Sequence, residues 1–137
     1  MDNYEFTNNW FETSAKAIWT QIFNQTKPKK ILEIGSYEGA STCFLIDTLS
    51  LYHDSFEIYA IDTWDGGVEH KEMKINMKLV EERFHKNTSL AIKNSSKKIE
   101  LVTFKDKSIN ALSKLITNQK SNYCLLYTSP SPRDSFR

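Results

Sequence analysis

The chain has 137 residues, the size of one domain with its own core, and its 39% hydrophobic and 26% charged content is ordinary for a water-soluble fold. No stretch approaches the roughly 18 uninterrupted apolar residues of a membrane helix, and 18 basic against 17 acidic side chains leave a net charge of +1, which supplies no broad positive field for nucleic acid. Cys43 and Cys124 stand far apart with no Cys or His at metal-ligand spacing, so neither a metal site nor a disulfide framework is indicated, and the absence of a signal-like start makes the cytoplasm the expected location.

Phe11, Ala15, Ile18, Trp19, Ile22 and Phe23 recur at helical spacing and predict an amphipathic helix that Pro28 stops, with Trp10 and Trp19 as packing residues. Residues 31–34 are a short apolar run ending at Gly35, as in a strand buried within a parallel sheet. After Gly39 a helix is expected, capped by Ser41 or Thr42, carrying Leu45, Ile46 and Leu49 toward Leu51 and packing Cys43. Residues 56–62 are β-branched and aromatic and end on Asp62, which predicts a second strand. Gly66 and Gly67 open a loop. Met73, Met77, Val80 and Phe84 then fall on one face of a second helix, whose signal slackens in the polar run from Asn87 to Lys98. Residues 99–104 predict a third strand, Ser108 caps a third helix bearing Ile109, Leu112, Leu115 and Ile116, and residues 123–127 begin a fourth strand. The lysines at 27, 29 and 30 and at 93, 97 and 98 flank strands and read as solvated connector ends. This alternation predicts an α/β class, a Rossmann-like open parallel sheet with right-handed crossovers and helices on both faces.

In such sheets a ligand sits beyond the carboxyl ends of the strands, near the point where strand order reverses. Gly35 and Gly39 let the first turn run close to a ligand, and Asp62 can accept two hydrogen bonds from a ribose diol. Each of these residues alone is as well explained by a turn or a strand end; the combination suits an adenosine cofactor. Charge separates the cofactors, because a pyrophosphate needs helix-terminal N–H groups without nearby anions. Glu33 and Glu38 flank this turn and suit a cofactor carrying an ammonium and a sulfonium instead. The glycine patterns of dinucleotide-binding and P-loop motifs are missing.

The run Glu33-Ile-Gly35-Ser-Tyr-Glu-Gly39 resembles the first motif, acid-x-Gly-x-Gly-x-Gly, of class I S-adenosylmethionine-dependent methyltransferases, with Tyr37 in place of the middle glycine. A bulky residue there, Ser-Thr after the last glycine, and the run from Asp62 to His70 together resemble a branch containing small-molecule and sugar O-methyltransferases. The resemblance spans residues 10 to 123 or so and implies methyl transfer to a small-molecule or sugar substrate, with no nucleic-acid or membrane partner indicated. It implies that Glu33 orients the methionyl amino group, that Gly35 and Gly39 approach the cofactor and that Ser36 lines the methionyl pocket. Asp62 is expected to hold the ribose, with Thr63 and Trp64 near the adenine, where an aromatic face can stack. Relatives place an adenine-edge contact after the third strand, at residues 105–108 here, although Ser108 is read first as a helix cap. His53, His70 and His85 lack a partner nucleophile or ligand cluster, and Asp65 and Glu69 read as loop residues. No metal ligand or catalytic residue is assigned. Two other classes stay open, a nicotinamide or flavin oxidoreductase and a non-catalytic α/β interaction module.

After Tyr127 the chain shows no periodicity and carries two prolines, and residues 124–135 resemble translated sequencing-adapter read-through. The expected division is therefore 1–123 as the S-adenosylmethionine-binding part of a methyltransferase domain and 124–137 as a non-native or disordered tail. The sheet is then expected to stop after about three to four strands, and no acid follows Leu125 and Leu126 where the family has one. Because the family places its first strand between the second and the fourth, the first strand is expected to keep a weakly protected edge.

Overall fold

The computed structural model describes residues 3–66, 74–118 and 124–127. Among them are four strands, β1 (Lys30–Ile34), β2 (Ser55–Asp62), β3 (Lys98–Lys105) and β4 (Cys124–Tyr127), and five helices, α1 (Trp10–Ser14), α2 (Lys16–Thr26), α3 (Ala40–Leu49), α4 (Met77–Ser95) and α5 (Ser108–Asn118). The strands form one parallel sheet in the order β3-β2-β1-β4. Successive strand residues point to opposite faces. Ile31, Phe56 and Ile58 pack with Trp19, Phe23, Leu45, Ile46 and Ala91 of α2, α3 and α4. Leu32, Tyr59 and Ile61 meet Ala111 and Leu115 of α5 on the other side. Both faces are thus covered, as expected of an open Rossmann-like α/β sheet, and all the carboxyl ends lie along one edge.

The elements differ from expectation at their ends. The N-terminal helical run breaks at Ala15 into α1 and α2. The second piece ends before Pro28, because Lys27 turns left-handed (φ 44°) and its N–H caps the Phe23 carbonyl at 2.9 Å. Gly39, at φ 87°, is the N-cap of α3, so neither Ser41 nor Thr42 caps it; both are buried in its first turn. The helix stops at Leu49, and Leu51 is 80% exposed. Met73 lies outside the described residues; α4 starts at Met77, with the Asn76 side chain accepting from the N–H groups of Lys78 and Leu79. This helix runs unbroken through Asn87 and Thr88, which look polar in sequence but are buried with their hydrogen-bonding groups engaged. Ser108 is the first residue of α5, not its cap; the Lys107 carbonyl accepts from Asn110 and Ala111 at 3.1 Å. Ile109 is 71% exposed because the buried stripe of α5 runs through Ala111 and Leu115 instead.

The fourth strand forms at Cys124–Tyr127 and pairs with β1 from Ile31↔Cys124 to Ile34↔Tyr127. The expectation of an open edge on β1 is thereby corrected: it has a partner on each side. Tyr123 and the tail from 128 onward lie outside the described residues. Among the described residues no helix is long and apolar enough to cross a membrane.

Candidate functional site

The turn after β1 is built on two left-handed glycines, Gly35 (φ 86°) and Gly39 (φ 87°), with Tyr37 also left-handed at φ 49°. The Gly35 N–H continues the sheet by donating to the Ile61 carbonyl at 2.9 Å. A non-glycine residue in this region costs about 1–2 kcal/mol, so Tyr37 needs support from its surroundings. Asp62, at the end of β2, gives it: its Oδ2 accepts the Tyr37 N–H at 2.9 Å. Its Oδ1 accepts the N–H of Trp64, the other left-handed residue here (φ 53°), also at 2.9 Å. The Trp64 indole N–H closes the ring by donating to the Tyr37 carbonyl at 2.9 Å. The Asp62 carbonyl in turn accepts from Asp106 after β3 at 3.1 Å. One carboxylate therefore holds together the loops after β1 and β2. Each of its oxygens has a second lone pair beyond the backbone bond.

Glu33 is fully buried on the α3 side of β1. Its Oε1 accepts from the Thr42 hydroxyl at 2.6 Å, but among the described residues its Oε2 has no hydrogen-bond partner, nor does the buried Oγ of Ser36. Burial pushes the Glu33 carboxyl up to about 7; the Thr42, Ser36 and Ser41 hydroxyls oppose this and the Asp62 charge adds to it. Ser36 is thus near enough to oppose the shift without closing a hydrogen bond. Buried polar atoms are nearly always paired, so two orphans side by side mark a place where a polar partner fits.

The remaining expected residues take different places. A Cβ on Gly39 would lie 3.2 Å from Phe84 Cδ2 and 3.4 Å from Thr88 Cγ2, so a side chain here would crowd α4 against the turn, whatever the glycine does toward a ligand. Thr63 is half-buried, and its Oγ1 accepts the Asp65 N–H at 3.2 Å. Trp64 does not offer an open face for stacking: it is 4% exposed, with its ring 5.0 Å from Phe84 and 6.1 Å from His85. The left-handed backbone turns it inward, which the sequence did not reveal. Tyr37 is buried as well and stacks at 5.4 Å on Trp10, which therefore packs on the turn. Burial raises the Tyr37 hydroxyl to about 12.

Glu38 corrects the reading of charge. It faces away from Glu33, toward the N-terminal segment, where its carboxylate accepts from Thr7 N–H (2.9 Å), Thr7 Oγ1 (2.8 Å), Asn8 Nδ2 (3.5 Å) and Arg83 Nη1 (3.3 Å). The anionic character of the turn therefore rests on Glu33 and Asp62. Thr42, read as a possible cap and as part of the motif, instead donates to Glu33, while Arg83 and Asn87 were missed as site-supporting residues; their sequence spacing from the motif follows no period, and only the packing of α4 brings them in.

His53 Nε2 lies 2.8 Å from the Lys27 carbonyl, and His85 is an exposed neighbour of Glu81 at 3.8 Å, so both have structural surroundings. His70, Glu69 and Gly67 lie outside the described residues. Cys43 is buried, which raises its thiol well above its usual range, in keeping with a packing role. Among the described residues no group of three or more His, Cys, Asp or Glu is placed to hold a metal ion.

A family model described as a methyltransferase domain matches residues 32–120. Comparisons with curated proteins and with solved structures return no match.

Proposed function

The chain belongs to the methyltransferase-domain family, and from that premise we propose that residues 1–123 bind the S-adenosylmethionine donor through the turn after β1, for methyl transfer to a small-molecule or sugar acceptor. The observation that carries this reading is the pair of orphaned buried atoms, Glu33 Oε2 and Ser36 Oγ, at the carboxyl end of β1. An ammonium placed there meets an acceptor that lacks a donor, and its positive charge favours the ionised carboxylate that burial disfavours. The donor supplies a methyl group on a sulfonium, and the protein's part is to hold it in line with the acceptor.

In this assignment Glu33 and Ser36 take the methionyl end, while Gly35 keeps the backbone close to it. Asp62 offers its unused lone pairs to the ribose hydroxyls, and Thr63 lies beside the adenine. Gly39 and Trp64 shape the site from behind, through Phe84. A small-molecule or sugar acceptor follows from the sequence resemblance around Tyr37 and residues 62–70, and a cytoplasmic setting is part of the same proposal. A dinucleotide fits poorly, because Glu33 and Asp62 stand where its pyrophosphate needs N–H groups alone.

Titration calorimetry with S-adenosylhomocysteine and with NAD tests the assignment. Binding of the first and not the second supports it. Tighter binding of NAD favours an oxidoreductase, and no heat with either favours an interaction module.

A further inference from the structure

Glu38 is 2% exposed, yet its carboxylate bonds to neither Glu33 nor Asp62; among the described residues its four donors come from the N-terminal segment and α4. Its backbone carbonyl is engaged too, by Asn87 Nδ2 at 3.0 Å. Asn87 is 1% exposed and treats the segment as a strand treats its neighbour: its Oδ1 accepts the Glu5 N–H at 2.7 Å and its Nδ2 donates to the Glu5 carbonyl at 3.1 Å. Further along, the Tyr4 hydroxyl reaches both oxygens of Asp47 on α3 at 3.0 and 2.9 Å, and Lys86 pairs with Glu5 at 2.5 Å. Residues 4–8 are therefore a strap laid across the turn after β1 and held largely by polar contacts, with Glu5, Phe6 and Thr7 all exposed.

This arrangement bears on the donor site. Tyr37 sits between Ser36 and Glu38 in a left-handed conformation that its neighbours must hold. Asp62 holds it from one side; Glu38, anchored to the strap and Arg83, fixes the next residue from the other. When the strap lifts, Glu38 loses its donors from Thr7 and Asn8 and is free to turn toward water, because an underpartnered carboxylate is costly to keep buried. The turn that carries Ser36 then loses its second support.

We propose that Glu38 is a positioning residue for the donor site, latching the strap of residues 4–8 to the turn after β1 so that strap docking and donor binding strengthen each other. The inference rests on the donor assignment made above. Coupling between two equilibria is reciprocal, so a donor that needs the ordered turn must also hold the strap down.

Amide hydrogen exchange measures this, with and without saturating S-adenosylhomocysteine, in the wild-type chain and in Glu38→Gln and Thr7→Val. The amides of Glu5 and Thr7 are the reporters, since they donate to Asn87 and Glu38. In the wild type the ligand is expected to slow their exchange about tenfold, a coupling of the usual size. In both variants that protection shrinks and the dissociation constant rises several-fold, while the amides of β1, β2 and β3 exchange as before. A merely structural Glu38 leaves ligand affinity untouched once the chain is folded. Thr7→Val, at an exposed residue, decides the matter if Glu38→Gln folds poorly. Binding with unchanged strap exchange, or variants that bind as tightly as the wild type, overturns the latch alone. No binding to the wild type by calorimetry overturns the donor assignment and the latch with it.

Discussion

Replacing Glu33 by Gln tests the most unusual group in the molecule. A free glutamate titrates at 4.5, and burial moves Glu33 to about 7. At 1.36 kcal/mol per unit, a gap of that size means that the ionised form destabilises the empty fold by roughly 3 kcal/mol. The sign follows from proton binding: between the two values the folded chain holds a proton that the unfolded chain has released. The stability this group contributes is fully present below 4.5 and is lost as pH rises through about 7. Gln keeps an acceptor for Thr42 and has no proton to lose. The variant should lie up to about 2 kcal/mol below the wild type near pH 4.5, where an imperfectly paired amide N–H is its cost, and exceed it by roughly 1–3 kcal/mol at pH 8, so that the difference between the two chains changes by roughly 3 kcal/mol over that range. Urea unfolding at both pH values gives the difference directly, and comparing the two chains cancels carboxylates that titrate alike in both, such as Asp54 and Asp106. A variant that is less stable than the wild type at pH 8, or a difference that ignores pH, refutes the reasoning.

Further substitutions probe the supports of the turn. Gly39→Ala forces a left-handed alanine and places a methyl 3.2 Å from Phe84, so a loss of about 2–4 kcal/mol in urea unfolding is expected; a loss below 1 kcal/mol means that α4 yields. Trp64→Phe keeps the packing against Phe84 but leaves the Tyr37 carbonyl without its indole donor, a cost of about 1–3 kcal/mol by the same measurement. Asp62→Ala strands the N–H groups of Tyr37 and Trp64 in strained conformations and should lower both stability and S-adenosylhomocysteine affinity; unchanged affinity in calorimetry shows that the clamp is not part of the site. Thr42→Val removes the Thr42 hydroxyl's 2.6 Å hydrogen bond to Glu33 and should move the stability-against-pH profile to higher pH, because the ionised form loses that partner.

The strands were legible because each is a short apolar run whose hydrophobicity exceeds that of its flanks: residues 31–34, 56–62 and 99–104 all fall inside observed strands. The parallel sheet followed from alternation, and the place of β1 between β2 and β4 from the resemblance; that β3 lies beside β2 was not read. Helix ends were read less well. Ser41, Thr42 and Ser108 look like caps by residue type, whereas the backbone used Gly39 and the Lys107 carbonyl, and residue type reports a preference and not a position. The polar face of α4 was misleading for a different reason. Asn87 and Thr88 are buried because the N-terminal segment and the helix's own backbone supply their partners, and nothing local to the run from 87 to 98 announces a partner about eighty positions away. The same limit explains the site. Glu33, Gly35, Gly39 and Asp62 could be placed at the turn after β1 and at the end of β2 because a turn at the end of a strand has a fixed chemistry. The direction in which Glu38 and Trp64 point was not, because it depends on left-handed backbone angles at Tyr37 and Trp64 that residue identity does not encode.

The central claim is that Glu33 is the anion the donor's ammonium meets. The affinity for S-adenosylhomocysteine, measured by calorimetry from pH 5.5 to pH 7.5 in the wild type and in Glu33→Gln, tests it most directly. In the wild type, affinity should rise toward tenfold per pH unit below about 7 and level off above it, as the buried carboxyl gives up its proton. The variant should bind weakly and with no such slope. A variant that binds as tightly as the wild type along the same pH curve contradicts the account.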